Sequence, residues 1–301
     1  MKQKKTQTSS KKFNKVVVGD FYINTMNNLV ETNGSKNLKE LKAFITSVYD
    51  NKKRDEYQGS FDEYFNSVIE NKEQEKIEKI IHLLGRIGMK YPQLSDSSID
   101  ALIHIVDDHV EPNICRPALK EMGKIGHVRE NTCNKIIDEI NKVTHETMDH
   151  DITIDAIHAL YEIGLAWKKK KKIFFPLLDI LNRGDKEEKL EAIRAIRTQL
   201  EGYWEKPIQA LKDLVLYDVD FEVRRVAAMS LGEVGAYTSF SVREAVFELT
   251  NNIASQIQRL KVSLEKNSIN NFHIKCRLHD SKAILKILYH YIRIYKYGFI
   301  E

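Results

Sequence analysis

The segment Asp220 to Gly235 reads DFEVRRVAAMSLGEVG, and its helical pattern returns upstream at intervals of a little under forty residues. A unit of that length cannot bury its own apolar face. Copies must stack, and a stack offers an extended surface for binding in place of one deep catalytic pocket. With Gly235 as reference, the matching positions are Gly88, Gly126, Gly164 and Leu200, so that five units follow at steps of 38, 38, 36 and 35. Eight residues before each of these points stand Ile80, Ala118, Ala156, Ala192 and Ala227, and four before stand Leu84, Met122, Leu160, Ile196 and Leu231. These positions share one helical face, and the small members let neighbouring helices approach closely. An acid recurs where each helix should begin, at Glu73, Glu111, Asp149, Asp185 and Asp220, placed to cap free N–H groups and to favour the positive end of the dipole. The glycine at the end of each unit is expected to take the left-handed turn that stops the helix.

A first amphipathic segment is predicted ahead of each such helix: Phe61 to Ile69, Leu94 to Asp107, Thr132 to Thr144, Ile173 to Leu181 and Pro207 to Leu216. The fourth unit departs from the pattern and is expected to be distorted. Glu188 stands where Val223 does, Gln199 where Val234 does, and both terminal glycines are missing. In the last unit Asp218, Asp220, Val223, Arg224, Ala227, Leu231, Gly232 and Gly235 resemble HEAT repeats, particularly the short bacterial subtype first noted in phycobilin lyases. The resemblance spans roughly residues 61 to 235. It implies an all-α, HEAT-like α-solenoid of about five helical hairpins, a scaffold that serves many purposes. The predicted organisation is a basic disordered tail over 1–14, an N-terminal cap segment over 15–60, the solenoid over 61–238 and a helical cap over 239–301. Within the caps, Lys15 to Ile23 is read as a short strand or docked extended segment. Helices are predicted near Leu38 to Tyr49, Ser241 to Leu264 and Ser281 to Tyr297.

Three widely spaced cysteines, Cys115, Cys133 and Cys276, suggest neither a disulfide framework nor a CxxC zinc site, and they fit a reducing compartment. No run of about 18 apolar residues is present and the VVV run at Val16 is too short for a secretion signal, so a cytoplasmic location is expected. The net charge of +4 conceals a pattern: residues 1–15 carry +6, residues 253–301 carry +6, and the stretch between them carries −8. A uniformly basic groove tracking nucleic acid would need the opposite centre.

In HEAT-like stacks the second helix of each unit lines the concave side. Helical spacing then selects an outward column of His82, Lys120, His158, Arg194 and Met229, with Arg86 and Lys124 beside it. Asp155 falls in the same outward set. The sets of four outward positions sum to +1, +2, −3, −1 and −2 from first unit to last, which predicts a bipolar groove suited to a mixed-charge protein segment. The same positions also describe ordinary solvated helix faces.

Chemistry is less well marked. Lys168, Lys169 and Lys170 follow Trp167 at a unit boundary, and the last helix carries Lys286, Tyr289 and Arg293 on one side; both are candidate contacts for nucleic acid or an acidic partner. Asp155 and His158 share a helix face, yet no second acid-x-x-His pair accompanies them as a di-iron site would require. P-loop, GxSxG, HExxH and dinucleotide signatures are absent. No cofactor or metal is expected. The leading expectation is a non-enzymatic protein-binding adaptor or scaffold, with oligomerisation through the ends as a further option. The alternative is a nucleic-acid-binding protein, for which the HEAT-like DNA-repair glycosylases supply a comparison at Trp167 and Trp204, opposed by the acidic later units.

Overall fold

The computed structural model describes residues 23–31, 37–49, 74–108, 111–167, 171–200, 205–237, 240–266 and 272–297. Among these residues every regular element is helical. The helices are α1 (23–31), α2 (Asn37–Tyr49), α3 (Gln74–Lys90), α4 (Ser95–Asp108), α5 (Pro112–Val128), α6 (Cys133–Glu146), α7 (His150–Ala166), α8 (Phe174–Arg183), α9 (Lys186–Gln199), α10 (Glu205–Tyr217), α11 (Phe221–Tyr237), α12 (Phe240–Lys266) and α13 (Phe272–Tyr297). The tail, most of Lys15 to Ile23, the segment Phe61 to Ile69 and Lys168 to Lys170 lie outside the described residues. The chain divides into two compact units, Met1–Ala166 and Trp167–Glu301.

The second helices of the predicted repeats are α3, α5, α7, α9 and α11, preceded where described by α4, α6, α8 and α10 as first helices. Each buries the stripe that the sequence marks: in α3, Ile77, Ile80, Ile81, Leu84 and Ile87 are at most 3% exposed. In unit 1 the second helices pack directly, α3 on α5 and α5 on α7, whereas the first helices α4 and α6 do not meet closely. The N-terminal cap docks here too. α2 packs on α4, while Arg86 Nη1 donates to Asn27 Oδ1 at 2.7 Å and the Tyr91 hydroxyl donates to the Leu29 carbonyl of α1 at 3.3 Å.

The repeated glycines do not end their helices. Gly88, Gly126 and Gly235 lie within α3, α5 and α11 and are buried. Their shared feature is what faces them. A Cβ on Gly88 would stand 2.6 Å from Ile125 Cδ1, and one on Gly126 would stand 2.7 Å from Ile163 Cγ1. Three residues earlier, a Cβ on Gly123 would stand 2.8 Å from the Ala159 Cα, and one on Gly85 would overlap the Glu121 carboxylate. Each glycine thus receives the residue one or five positions before the reference point of the following unit. The selection is for closeness between helices, not for a left-handed turn.

The same rule explains the C-terminal cap in unit 2. A Cβ on Gly232 would overlap the Tyr291 ring, and one on Gly235 would overlap the Tyr295 hydroxyl. Tyr291 and Tyr295 are four apart, as are the two partner positions of a repeat. α13 therefore packs on α11 as a sixth second helix would. The Tyr295 hydroxyl donates to the Gly232 carbonyl at 2.8 Å, and Arg243 of α12 lies 5.5 Å over the Tyr295 ring. α13 begins nine residues before the predicted Ser281. Its first turns bury none of their apolar side chains and are fixed by polar contacts, with Arg277 Nη2 donating to the Leu216 carbonyl at 2.7 Å.

Of the five acids expected at helix starts, three cap, and Glu73 lies outside the described residues. Asp149 accepts from the Ile152 N–H at 3.0 Å, Asp220 from the Glu222 and Val223 N–H groups at 2.8 and 3.2 Å, and Asp185 from the Glu188 N–H at 2.9 Å; Glu111 makes no such cap. The irregular fourth unit has a definite form. Glu188, out of place as a core residue, returns its carboxylate to the Asp185 N–H at 2.9 Å and closes a capping box. α9 spans 14 residues where α3, α5, α7 and α11 span 17, and Leu200 occupies its C-cap.

Candidate functional site

In unit 1 the outward residues of the second helices form ion pairs from one repeat to the next. Glu121 of α5 is 2% exposed, and Oε1 of its carboxylate accepts from His82 of α3 at 2.9 Å and from Lys124 at 2.7 Å. Asp155 of α7 is 3% exposed, and its Oδ2 accepts from Arg116 Nε at 2.7 Å and Lys120 Nζ at 3.2 Å; Arg116 also reaches Asp151 at 2.8 Å. The Asp155 hydrogen bond raises the Arg116 pKa further, against a smaller opposing effect of burial. Buried carboxylates are tolerable only when paired: Asp155 has two cations, and Glu121 has Lys124 and a hydrogen bond to the His82 ring.

The outward column of basic residues is tied into this network. Lys120, Lys124 and His82 lie on the second-helix face, where Asp155 and Glu121 hold them. Asp155, placed outward by helical spacing, is buried beneath Arg116 and Lys120, and it turns to those cations. Arg86 is paired with Glu31 of α1, and His158 is exposed on α7. In unit 2 Arg194 is exposed on α9 and pairs with Glu191 of its own helix. Glu121 escaped the sequence reading although the signal was present. It occupies a column filled in the other units by Leu83, Ala159, Ala195 and Ser230, all buried, so a carboxylate there had to be both buried and satisfied.

Between α3 and α5 this face opens a cleft of about 550 Å³, lined by Glu78, His82, Pro112, Asn113, Arg116, Pro117, Lys120, Glu121 and Lys124. It offers cations, carboxylates and the exposed amide of Asn113. The first-helix face of unit 1 also carries cross-repeat pairs. Lys135 pairs with Asp100, Lys142 with Asp107, and Asn131 donates to Asp96 at 3.2 Å. Glu139 beneath them has its pKa raised by burial and by the neighbouring Asp107.

In unit 2 the residues of the repeat motif have distinct tasks. Asp218 Oδ1 accepts from the Asp220 N–H at 2.8 Å and its Oδ2 accepts from Lys189 of α9 at 2.8 Å. Arg224, 3% exposed, donates to the Asp218 carbonyl at 2.8 Å and to Asp280 of α13 at 2.6 Å. The motif therefore stitches one unit to the next and the last unit to its cap. Burial outranks every other influence on Asp220 and would raise its pKa, but the combined Val223 and Glu222 N–H bonds and Lys186 hold it below the usual range. Trp167 is partly exposed, and Lys286, Tyr289 and Arg293 are exposed on α13. Among the described residues no helix is long and apolar enough to cross a membrane.

No family model matches the chain, and no curated protein matches it in sequence. Among solved structures, three crystal structures of engineered proteins are similar to it. One is 15% identical over 84% of this chain and 97% of its own length, with a TM-score of 0.46. The second is 14% identical over 88% and 98%, with a TM-score of 0.40, and the third is 16% identical over 89% and 68%, with a TM-score of 0.42.

Proposed function

We propose that this protein is a non-enzymatic adaptor of HEAT-repeat type that binds another protein through the second-helix face of unit 1. The observation that carries the reading is the α3–α5 cleft, whose charged groups are fixed in place by Glu121 and Asp155 before any partner arrives. Groups held in this way lose little side-chain entropy on binding, and their mixed signs favour a partner segment that is itself mixed in charge. The cleft is open to solvent, with lysine and arginine stems forming part of its wall.

Replacing Lys120 and Lys124 together by Gln tests the reading while leaving Asp155 its Arg116 partner and Glu121 its His82 hydrogen bond. Partner capture by the full chain should weaken at least tenfold, whereas Lys135→Gln with Lys142→Gln on the first-helix face should leave it unchanged. Equal capture by both variants, each with unaltered circular dichroism, would remove the cleft from the account.

A further inference from the structure

We propose that the outer face of α13 is a second, independent binding surface, and that its partner is the phosphate backbone of double-stranded nucleic acid. Lys275, Lys282, Lys286, Arg293 and Lys296 fall within one side of the helix and are all exposed. The opposite side is buried through Ile284, Leu288 and Ile292. The only acid in α13, Asp280, is turned inward to Arg224. Among the described residues no carboxylate comes within ion-pairing distance of those five cations, in contrast to the neutralised lysines of the α3–α5 cleft.

At about 1.5 Å per residue, Lys275 and Lys296 stand roughly 32 Å apart along the axis, close to one turn of B-form DNA. A straight row of unpaired cations on a rigid helix matches a regular row of phosphates. Tyr289, 47% exposed, stands among them with His290 beside it, positioned to pack on sugar edges. A membrane surface is the poorer match, because an interfacial helix inserts its apolar side and here that side is committed to α11 and α12. The face carries no feature that reads base identity, so binding is expected to be independent of sequence.

The test uses the full chain and a fluorescent 20-base-pair duplex of arbitrary sequence. Five phosphate contacts predict a slope of log K against log salt near −4.5, equivalent to about a 500-fold loss between 50 and 200 mM salt. Lys286→Gln with Arg293→Gln, both on the solvent side, should lower the slope by about 2, while Lys120→Gln with Lys124→Gln should leave duplex binding unchanged. The latter pair separates this proposal from the adaptor reading, since either can fail alone. No duplex binding at 50 mM salt, a salt-independent affinity, or capture of polyglutamate with no binding to duplex would overturn it.

Discussion

Gly123→Ala isolates the packing role assigned to the repeated glycines. Two effects oppose each other. Inside a regular helix, alanine in place of glycine is favourable by about 1 kcal/mol. Against this, the new Cβ would lie 2.8 Å from the Ala159 Cα and 3.0 Å from its Cβ, when carbon atoms prefer about 3.5–4.0 Å. The obstacle is backbone and cannot rotate aside, so α5 and α7 must part by roughly 1 Å along their contact. Overpacking of this severity lies at the upper end of about 1–3 kcal/mol, and the net expectation is a destabilisation of about 2 kcal/mol. Gly88→Ala provides the comparison. There the nearest atom is Ile125 Cδ1 at 2.6 Å, the end of a side chain that can change rotamer, and the propensity gain should bring the variant within about 1 kcal/mol of the parent. Urea unfolding followed by circular dichroism reads both, with an unchanged m-value confirming that only stability moved. Gly123→Ala as stable as the parent, or more stable, would refute the claim that the glycine is there for closeness.

Asp185→Ala removes the capping box of α9 and should destabilise unit 2 by about 1 kcal/mol in the same assay, whereas Glu111→Ala, which removes no side-chain cap, should cost less. Burial pushes the Cys115 thiol up to about 11 from its ordinary 9.0, so the neutral form is the one the fold favours. The stability it contributes is complete below pH 9 and is lost as pH rises towards 11, and at pH 8 a thiol reagent should label exposed Cys276 rapidly and Cys115 only on unfolding.

The repeat alignment made much of this fold readable because one constraint, an apolar stripe needing a neighbour, fixes both helix position and stacking partner. Asp149, Asp185 and Asp220 cap as their positions imply, since capping is decided within four residues. The role of the glycines is ambiguous in the sequence for a physical reason. Closing a helix and admitting a neighbouring backbone both call for a missing Cβ, and only the opposing atoms tell which applies. α13 starts earlier than its hydrophobic periodicity indicates because Arg277 and Asp280 secure its first half through polar contacts. The candidate site was half legible. The spacing that placed Lys120 and Lys124 on the second-helix face was sound, but pairing between units depends on registry across 39 residues, as in His82 with Glu121 and Arg116 with Asp155. Glu121 alone among these stood in a column otherwise filled by buried small or apolar residues.

A photo-crosslinking amino acid at Asn113, exposed in the α3–α5 cleft, tests the central claim most directly when the full chain is irradiated in its native host. The account predicts one reproducible crosslinked protein, lost in the Lys120→Gln, Lys124→Gln background and absent when the probe is moved to Asn134 on the first-helix face. The same product from both positions, or none from Asn113, would contradict it.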